Sequence, residues 1–145
     1  MKKILAISVV VLMTFLLACT SVEQSSDYLP PIQPNPNGDS ELALLMRDMF
    51  DDGMRMKQLI KAGRMPEVME NFKKIHSAQA TEPEKAASKK FKMFADAYLN
   101  SLENLKRASP DGVKDLYNGV VESCMSCHRA LCPGPVVRIK KLYLK

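Results

Sequence analysis

The sequence predicts an all-α protein in which residues 39–145 form an antiparallel four-helix bundle. Apolar side chains recur there at three- and four-residue steps, the spacing of a helix with one buried face. No segment alternates apolar and polar residues as a half-buried strand does. The helical segments are joined by short links, which make consecutive helices antiparallel neighbours. A chain of 145 residues then accommodates one such domain.

Capping residues define the first two predicted helices. The first begins after Asp39 or Ser40, both good N-caps, and ends before Gly63, a natural C-terminal stop. The second begins at Pro66, a residue suited to the first turn of a helix, and fades near Ala80. Each carries an apolar stripe at helical spacing, which indicates a face that packs on the rest of the bundle.

The third and fourth helices are predicted in the same way. Thr81 and Glu84 have the spacing of a capping box, which predicts the start of a long third helix there. Ser, Pro and Asp at residues 109–111 predict a break between helices, and the fourth helix then extends to the region of Leu131. Pro133 must end it, because proline cannot continue a helix.

Residues 1–18 have the features of an export signal. Lys2 and Lys3 precede an apolar run that is shorter than the roughly 20 residues a membrane-spanning helix needs. The end of this run, Leu-Leu-Ala-Cys at 16–19, resembles the lipobox of bacterial lipoproteins. That resemblance implies cleavage before Cys19, a lipid on its thiol and a membrane-anchored protein of the cell envelope that faces the periplasm. An ordinary secretory signal followed by a chance cysteine is the alternative.

Residues 19–38 are predicted to be a tether that begins with the lipidated cysteine. Serine, proline and asparagine predominate, and apolar periodicity is almost absent. Removal of the leader with Lys2 and Lys3 reduces the net charge from +5 to +3. A charge this small does not indicate nucleic-acid binding.

One motif carries clear chemistry, the C-x-x-C-H sequence at Cys124, Cys127 and His128, which is the attachment motif of c-type haem. On a helix these residues stand at i, i+3 and i+4 and share one face. Two thiols can then form thioethers with the haem vinyl groups while the imidazole reaches the iron. Covalent attachment also accounts for both thiols in an oxidising compartment.

Zinc or disulfide chemistry is the alternative for this motif. A zinc site needs a further ligand, for which Cys132 or His76 is available, but structural zinc usually draws four good donors from two loops or elements. A thioredoxin-like redox pair needs a βαβ setting, which the helical pattern does not provide.

A C-x-x-C-H motif near the end of the fourth helix of an exported bundle resembles the class II cytochromes c, which include cytochrome c′ and its low-spin relatives. The resemblance covers residues 40–131. It implies one covalent haem c, attached through Cys124 and Cys127, with His128 as the proximal iron ligand. It also implies an electron carrier rather than an enzyme, with redox partners that the sequence does not identify and, as in the cytochrome c′ branch, a possible homodimer.

The first helix faces the sixth coordination position in this family. Low-spin members place a methionine there, and the run Leu-Met-Arg-Asp-Met at 45–49 resembles that ligand region. Met46 is therefore the predicted distal ligand, and Met49 is the runner-up. Methionine opposite histidine raises the reduction potential and favours electron transfer.

Two other hypotheses stay open on the sequence alone. An apolar residue at the sixth position would give a five-coordinate, cytochrome c′-like protein that binds nitric oxide or carbon monoxide. A structural lipoprotein whose motif carries no haem is the other. Cys132 has no obvious partner, and the basic, apolar extension at 133–145 either folds back over the haem edge or docks a partner.

Overall fold

The computed structural model describes residues 39–145, and this part of the chain is all-α, with no β-strand. The leader 1–18, the lipidation residue Cys19 and the rest of the tether lie outside the described residues. Five α-helices and two 3-10 helices follow one another in the described part. The α-helices are α1 Glu41–Lys61, α2 Pro83–Ala87, α3 Lys89–Lys106, α4 Val113–Leu131 and α5 Val136–Ile139, and the 3-10 helices are Glu70–His76 and Lys140–Leu142.

Helix α1 has the limits that its capping residues predict. The Ser40 hydroxyl oxygen accepts a hydrogen bond from the Ala43 N–H at 3.2 Å, so Ser40 is the N-cap. Gly63 follows the helix with φ of 69°, a left-handed conformation that favours glycine. Both limits of the first predicted helix are confirmed.

The prediction of an α-helix from Pro66 to Ala80 is wrong, since this segment forms the 3-10 helix Glu70–His76, preceded by Met69 in an extended conformation. Phe72 and Ile75 are its buried residues, and their spacing of three matches the three residues per turn of a 3-10 helix. Because only these two side chains are buried, a short 3-10 helix is enough to pack this segment on the core.

The predicted capping box of the third helix is also wrong. The Thr81 hydroxyl donates to the Ser40 hydroxyl oxygen at 2.9 Å, at the start of α1. The short helix α2 begins at Pro83, and the chain turns extended at Ser88. Ser88 then caps α3, because its hydroxyl oxygen accepts from the Phe91 N–H at 3.1 Å. One predicted helix is therefore two, divided at a serine N-cap.

Hydrogen bonds show that the 3-10 segment runs antiparallel to α1. The Leu42 N–H donates to the Gln79 carbonyl oxygen at 2.8 Å, near the start of α1. Towards the other end, the Arg55 guanidinium donates to the Glu67 carbonyl oxygen at 2.5 Å. Residues that come later in α1 thus meet residues that come earlier in the segment.

The 3-10 helix is also antiparallel to α3. Glu70 pairs with Lys106 at 2.5 Å, and His76 pairs with Asp96 at 3.0 Å. Helices α1 and α3 therefore run in the same direction. Only residues 107–112 separate α3 from α4, so α4 runs antiparallel to both. The start of α1 and the end of α4 consequently lie at the same end of the protein.

The C-terminal extension is part of the core. Ile139, Leu142 and Leu144 are buried among the helices. The Asn118 side chain on α4 makes two hydrogen bonds to Leu144, donating to its carbonyl oxygen at 3.0 Å and accepting from its N–H at 2.9 Å. The Lys57 ammonium on α1 donates to the Lys141 carbonyl oxygen at 2.6 Å. The extension thus packs against α1 and α4.

Candidate functional site

All three motif residues lie within α4, whose helical conformation is continuous from Val113 to Leu131. Cys124 follows the fully buried Tyr117 by seven positions, two helical turns, and so lies on the same face. Cys127 and His128 are three and four positions further along. The predicted attachment residues therefore share one face of α4, and that face is directed towards the core.

The His128 ring is held in a defined orientation. Its Nδ1 atom lies 2.8 Å from the Cys124 carbonyl oxygen. A carbonyl oxygen can only accept a hydrogen bond, so Nδ1 carries the proton and the neutral ring keeps its lone pair on Nε2. Burial lowers the pKa of His128, although the hydrogen bond to the backbone of Cys124 opposes the shift. The neutral ring with a free Nε2 lone pair is the form that binds a metal ion.

The two motif thiols are half-buried and unpaired. Burial raises the pKa of Cys124 to about 12, with a smaller contribution from the neighbouring Cys127. Burial also raises the pKa of Cys127, and the nearby Cys132 adds to the shift. At neutral pH both groups are protonated thiols in an apolar setting, where charge-driven reactivity is weak.

Cys132 is placed at the end of α4. Its N–H donates to the His128 carbonyl oxygen at 3.0 Å, which makes it the C-cap residue. The side chain is half-buried and forms no disulfide among the described residues. The hydrogen bond to Glu82 raises the pKa of Lys85 on α2, burial opposes that shift, and Cys132 adds a smaller increase, so α2 lies close to this end of α4.

A hydrogen bond between α1 and α4 fixes how far along the helix axes each candidate distal ligand lies from the motif. The Tyr117 hydroxyl lies 2.9 Å from the Gly53 carbonyl oxygen. Met46 precedes Gly53 by seven positions, and Cys124 follows Tyr117 by seven. Because the helices are antiparallel, Met46 and Cys124 each lie about 10 Å from that contact, towards the same end.

Met49 lies at a different level and in a different environment. It precedes Gly53 by four positions, about 6 Å along α1, whereas His128 is eleven positions and about 16 Å beyond Tyr117 on α4. Met49 is a core residue with 8% exposure, and Met46 is half-buried at the edge of the same core. Met46 is therefore closer to the level of His128 than Met49 is.

Asp52 is a buried charged residue that the apolar pattern of α1 did not predict. Its side chain is paired through Oδ1 with Arg55, at 2.8 Å to Nε, while Oδ2 is buried and has no hydrogen-bond partner among the described residues. Burial raises the pKa of Asp52 more than Arg55 lowers it. Two features of the sequence could have indicated that Asp52 is buried. It is next to Gly53, and Arg55, three positions later, can pair with its carboxylate.

The ligand set of the alternative zinc site is not assembled in the part of the chain that the structure describes. No group of three or more His, Cys, Asp or Glu side chains there is placed to hold a metal ion. The His76 ring is directed towards α3, with Nε2 3.0 Å from an Asp96 carboxylate oxygen. Across residues 39–145, no helix is both long and apolar enough to span a membrane.

Comparison with known proteins gives no relative. The chain matches no protein-family model, no curated protein and no solved structure.

Proposed function

We propose that this protein is a monohaem c-type cytochrome of the class II kind that transfers single electrons in the bacterial cell envelope. Cys124 and Cys127 attach the haem covalently, His128 is the proximal iron ligand and Met46 is the distal ligand. The observation that carries the proposal is the His128 ring, whose Nδ1–H is bonded to the Cys124 carbonyl oxygen so that Nε2 is left to bind iron. The bound haem supplies a one-electron iron couple.

The residues present fit a covalent haem. Both motif cysteines are free thiols, as thioether formation requires, and they stand three positions apart on a real α-helix. Their face of α4 is directed towards the core, and Cys124 packs against the buried residues. Cys124, Cys127 and His128 would hold the haem on this face, beside the apolar side chains that Cys124 contacts.

The fold is consistent with this assignment if the 3-10 helix Glu70–His76 is taken as a shortened second helix. Then α1, the 3-10 helix, α3 and α4 are the four members of an antiparallel bundle with the haem motif at the end of the fourth. The 3-10 helix packs between α1 and α3 through Phe72, whose ring is 6.5 Å from that of Tyr98.

Met46 is the distal ligand in this proposal because it lies closer than Met49 to the position of His128 along the helix axes. The Tyr117–Gly53 hydrogen bond supports that placement, since it aligns Met46 with the motif face of α4. Methionine sulfur opposite an imidazole favours reversible electron transfer over gas binding. No bond-making catalysis is proposed.

The proposed place of the protein is the cell envelope, where the leader 1–18 directs export and a lipid on Cys19 anchors the chain to a membrane. Support for this comes from the sequence of residues 1–38. Export also provides an oxidising compartment, in which two free thiols need a function such as haem attachment.

Haem staining of a denaturing gel tests the attachment. Wild-type protein exported by cells with a c-type haem maturation system is expected to retain haem after boiling. Replacement of both motif cysteines, Cys124→Ala with Cys127→Ala, is expected to abolish the stain. Cys132→Ala is the matched control, because it removes a half-buried thiol outside the motif and is expected to keep the stain. A stained double variant, or an unstained wild type, would contradict the proposal.

A further inference from the structure

The last turns of α1 meet the C-terminal extension at a group of lysine residues. Lys57 and Lys61 are one turn apart on α1, and the Lys57 ammonium is bonded to the Lys141 carbonyl oxygen at 2.6 Å. The pKa of Lys57 is lowered first by desolvation and then by the positive charges of Lys61 and Lys145. The C-terminal lysines and the last turn of α1 therefore share one local positive field.

This positive charge is largely uncompensated. None of these lysines forms an ion pair with Asp or Glu among the described residues, whereas Lys85 and Lys106 elsewhere on the surface do. A surface that concentrates one sign of charge attracts a partner of the opposite sign.

The turn that follows α1 adds a cation and an apolar side chain to the same end. Arg64 and Met65 come directly after Gly63 and are both exposed, with Met65 at 43%. We name Lys57, Lys61, Arg64, Lys141 and Lys145 the basic end. Cations around a projecting apolar side chain are typical of surfaces that lie on a lipid headgroup layer.

The basic end is far from the motif. Lys57 lies four positions beyond Gly53 in one direction, and His128 lies eleven positions beyond Tyr117 in the other. At the rise of an α-helix, the two levels are about 22 Å apart. A protein that exchanges electrons with a group on His128 would have to dock near the other end, so the basic end is available for a contact that needs only charge.

We propose that the basic end binds the anionic surface of a phospholipid bilayer. Lysine and arginine side chains meet lipid phosphates there, and Met65 enters the headgroup layer. The protein then lies with its motif end directed away from the bilayer, towards soluble partners. This inference is independent of the haem, since every residue that carries it lies at the opposite end of the bundle.

Vesicle binding tests the proposal. We would use the full-length mature chain with Cys19→Ser and without the leader, so that no lipid on the protein contributes. Binding to vesicles of equimolar phosphatidylcholine and phosphatidylglycerol, and not to phosphatidylcholine alone, is expected, and added salt should weaken it. The triple variant Lys61→Gln, Lys141→Gln and Lys145→Gln is expected to bind at least about tenfold more weakly.

The matched control removes the same charge at the other end, with Lys89→Gln, Lys90→Gln and Lys92→Gln on exposed residues of α3. Its binding is expected to fall by less than about threefold. Equal losses in the two triple variants would show that net charge alone acts and would overturn the proposal. Absence of vesicle binding, with retention on a polyglutamate resin, would overturn it in favour of an acidic protein partner.

A single tryptophan gives a second readout, because the chain has none. The emission of Met65→Trp is expected to shift to shorter wavelength when phosphatidylglycerol vesicles are added, as the ring leaves water. Met93→Trp is the control, since Met93 is 58% exposed on α3 near the other end. A shift in the control without a shift at residue 65 would show that the protein docks by the wrong end and would overturn the proposal.

Discussion

The Tyr117 hydroxyl on α4 lies 2.9 Å from the carbonyl oxygen of Gly53 on α1. The same hydroxyl is 3.1 Å from the carbonyl oxygen of Leu142, and its one proton is shared between the two acceptors. Tyr117 is completely buried, so this contact joins α1, α4 and the C-terminal extension inside the core. It also sets the level at which the first helix meets the motif face of α4.

Removal of this hydroxyl is expected to destabilise the fold. Tyr117→Phe removes the buried hydroxyl that donates to the Gly53 and Leu142 carbonyl oxygens, which costs about 1–3 kcal/mol. Chemical denaturation measures the change in the free energy of unfolding. Tyr143→Phe is the matched control, because its hydroxyl donates to Glu122 at the surface, and its effect should stay within about 0.5 kcal/mol. Equal effects of the two variants would contradict the central role of Tyr117.

The close approach at Gly53 gives a second prediction. A Cβ atom there would lie 3.2 Å from a methyl carbon of Leu142, so Gly53→Val crowds the extension and is expected to cost about 1–3 kcal/mol. Gly119→Val is the matched control, since nothing lies within 4 Å of a Cβ at that helical position. The control should be neutral or slightly stabilising.

A double-mutant cycle isolates this contact. Leu142→Ala alone is expected to cost about 2–5 kcal/mol because it leaves a cavity. Combined with Gly53→Val, the total cost should be smaller than the two separate costs, because the valine fills part of the space. Additive losses would show that the extension does not pack on Gly53.

Variants of the two methionines separate iron ligation from core packing. In the haem-loaded protein, Met46→Ala is expected to abolish the low-spin spectrum and permit rapid carbon monoxide binding to the reduced form, with a modest effect on stability. Met49→Ala is expected to keep the spectrum and to lower the free energy of unfolding by about 2–5 kcal/mol, because Met49 is a core residue. The reverse pattern would identify Met49 as the distal ligand.

Asp52 is expected to give the stability a distinctive pH dependence. Burial raises its pKa in the folded state above the ordinary value of 3.8, so the folded protein holds this proton to a higher pH than the unfolded chain does. The contribution of Asp52 to stability therefore falls as the pH rises through that interval. Asp52→Asn removes the ionisation, and its stability relative to wild type should increase from acidic to neutral pH.

Denaturation at a series of pH values measures this effect. Asp51→Asn is the matched control, since Asp51 is the exposed neighbour of Asp52, and its effect on unfolding should stay within about 0.5 kcal/mol at every pH. A relative stability of Asp52→Asn that falls with rising pH would show that the Arg55 pair outweighs the burial of the carboxylate.

Local signals predicted the elements that have clear caps. Ser40 and Gly63 limit α1, and Pro133 follows the end of α4, because capping and proline chemistry depend on adjacent residues alone. The 3-10 helix at Glu70–His76 was missed, since a short apolar pattern with a spacing of three also fits an α-helix. The break at Ser88 was missed because Thr81 offered an equally good local cap.

Features that depend on distant contacts could not be predicted. Asp52 lies within an apolar stripe, and only the folded core shows that the carboxylate is buried. The extension is a mixture of basic and apolar residues, and its burial depends on Gly53 and Tyr117, which are far away in the chain. The placement of Cys124, Cys127 and His128 on one face follows from helical spacing, so that part of the site was predictable.

The absorption spectrum of the purified, exported wild-type protein, oxidised and reduced, tests the central claim most directly. We predict the bands of a covalent c-type haem that is low-spin in both states, with iron bound by His128 and Met46. A haem spectrum that is high-spin and five-coordinate would contradict the distal ligand and favour a cytochrome c′-like gas-binding protein. A protein without haem bands would contradict the cytochrome assignment itself.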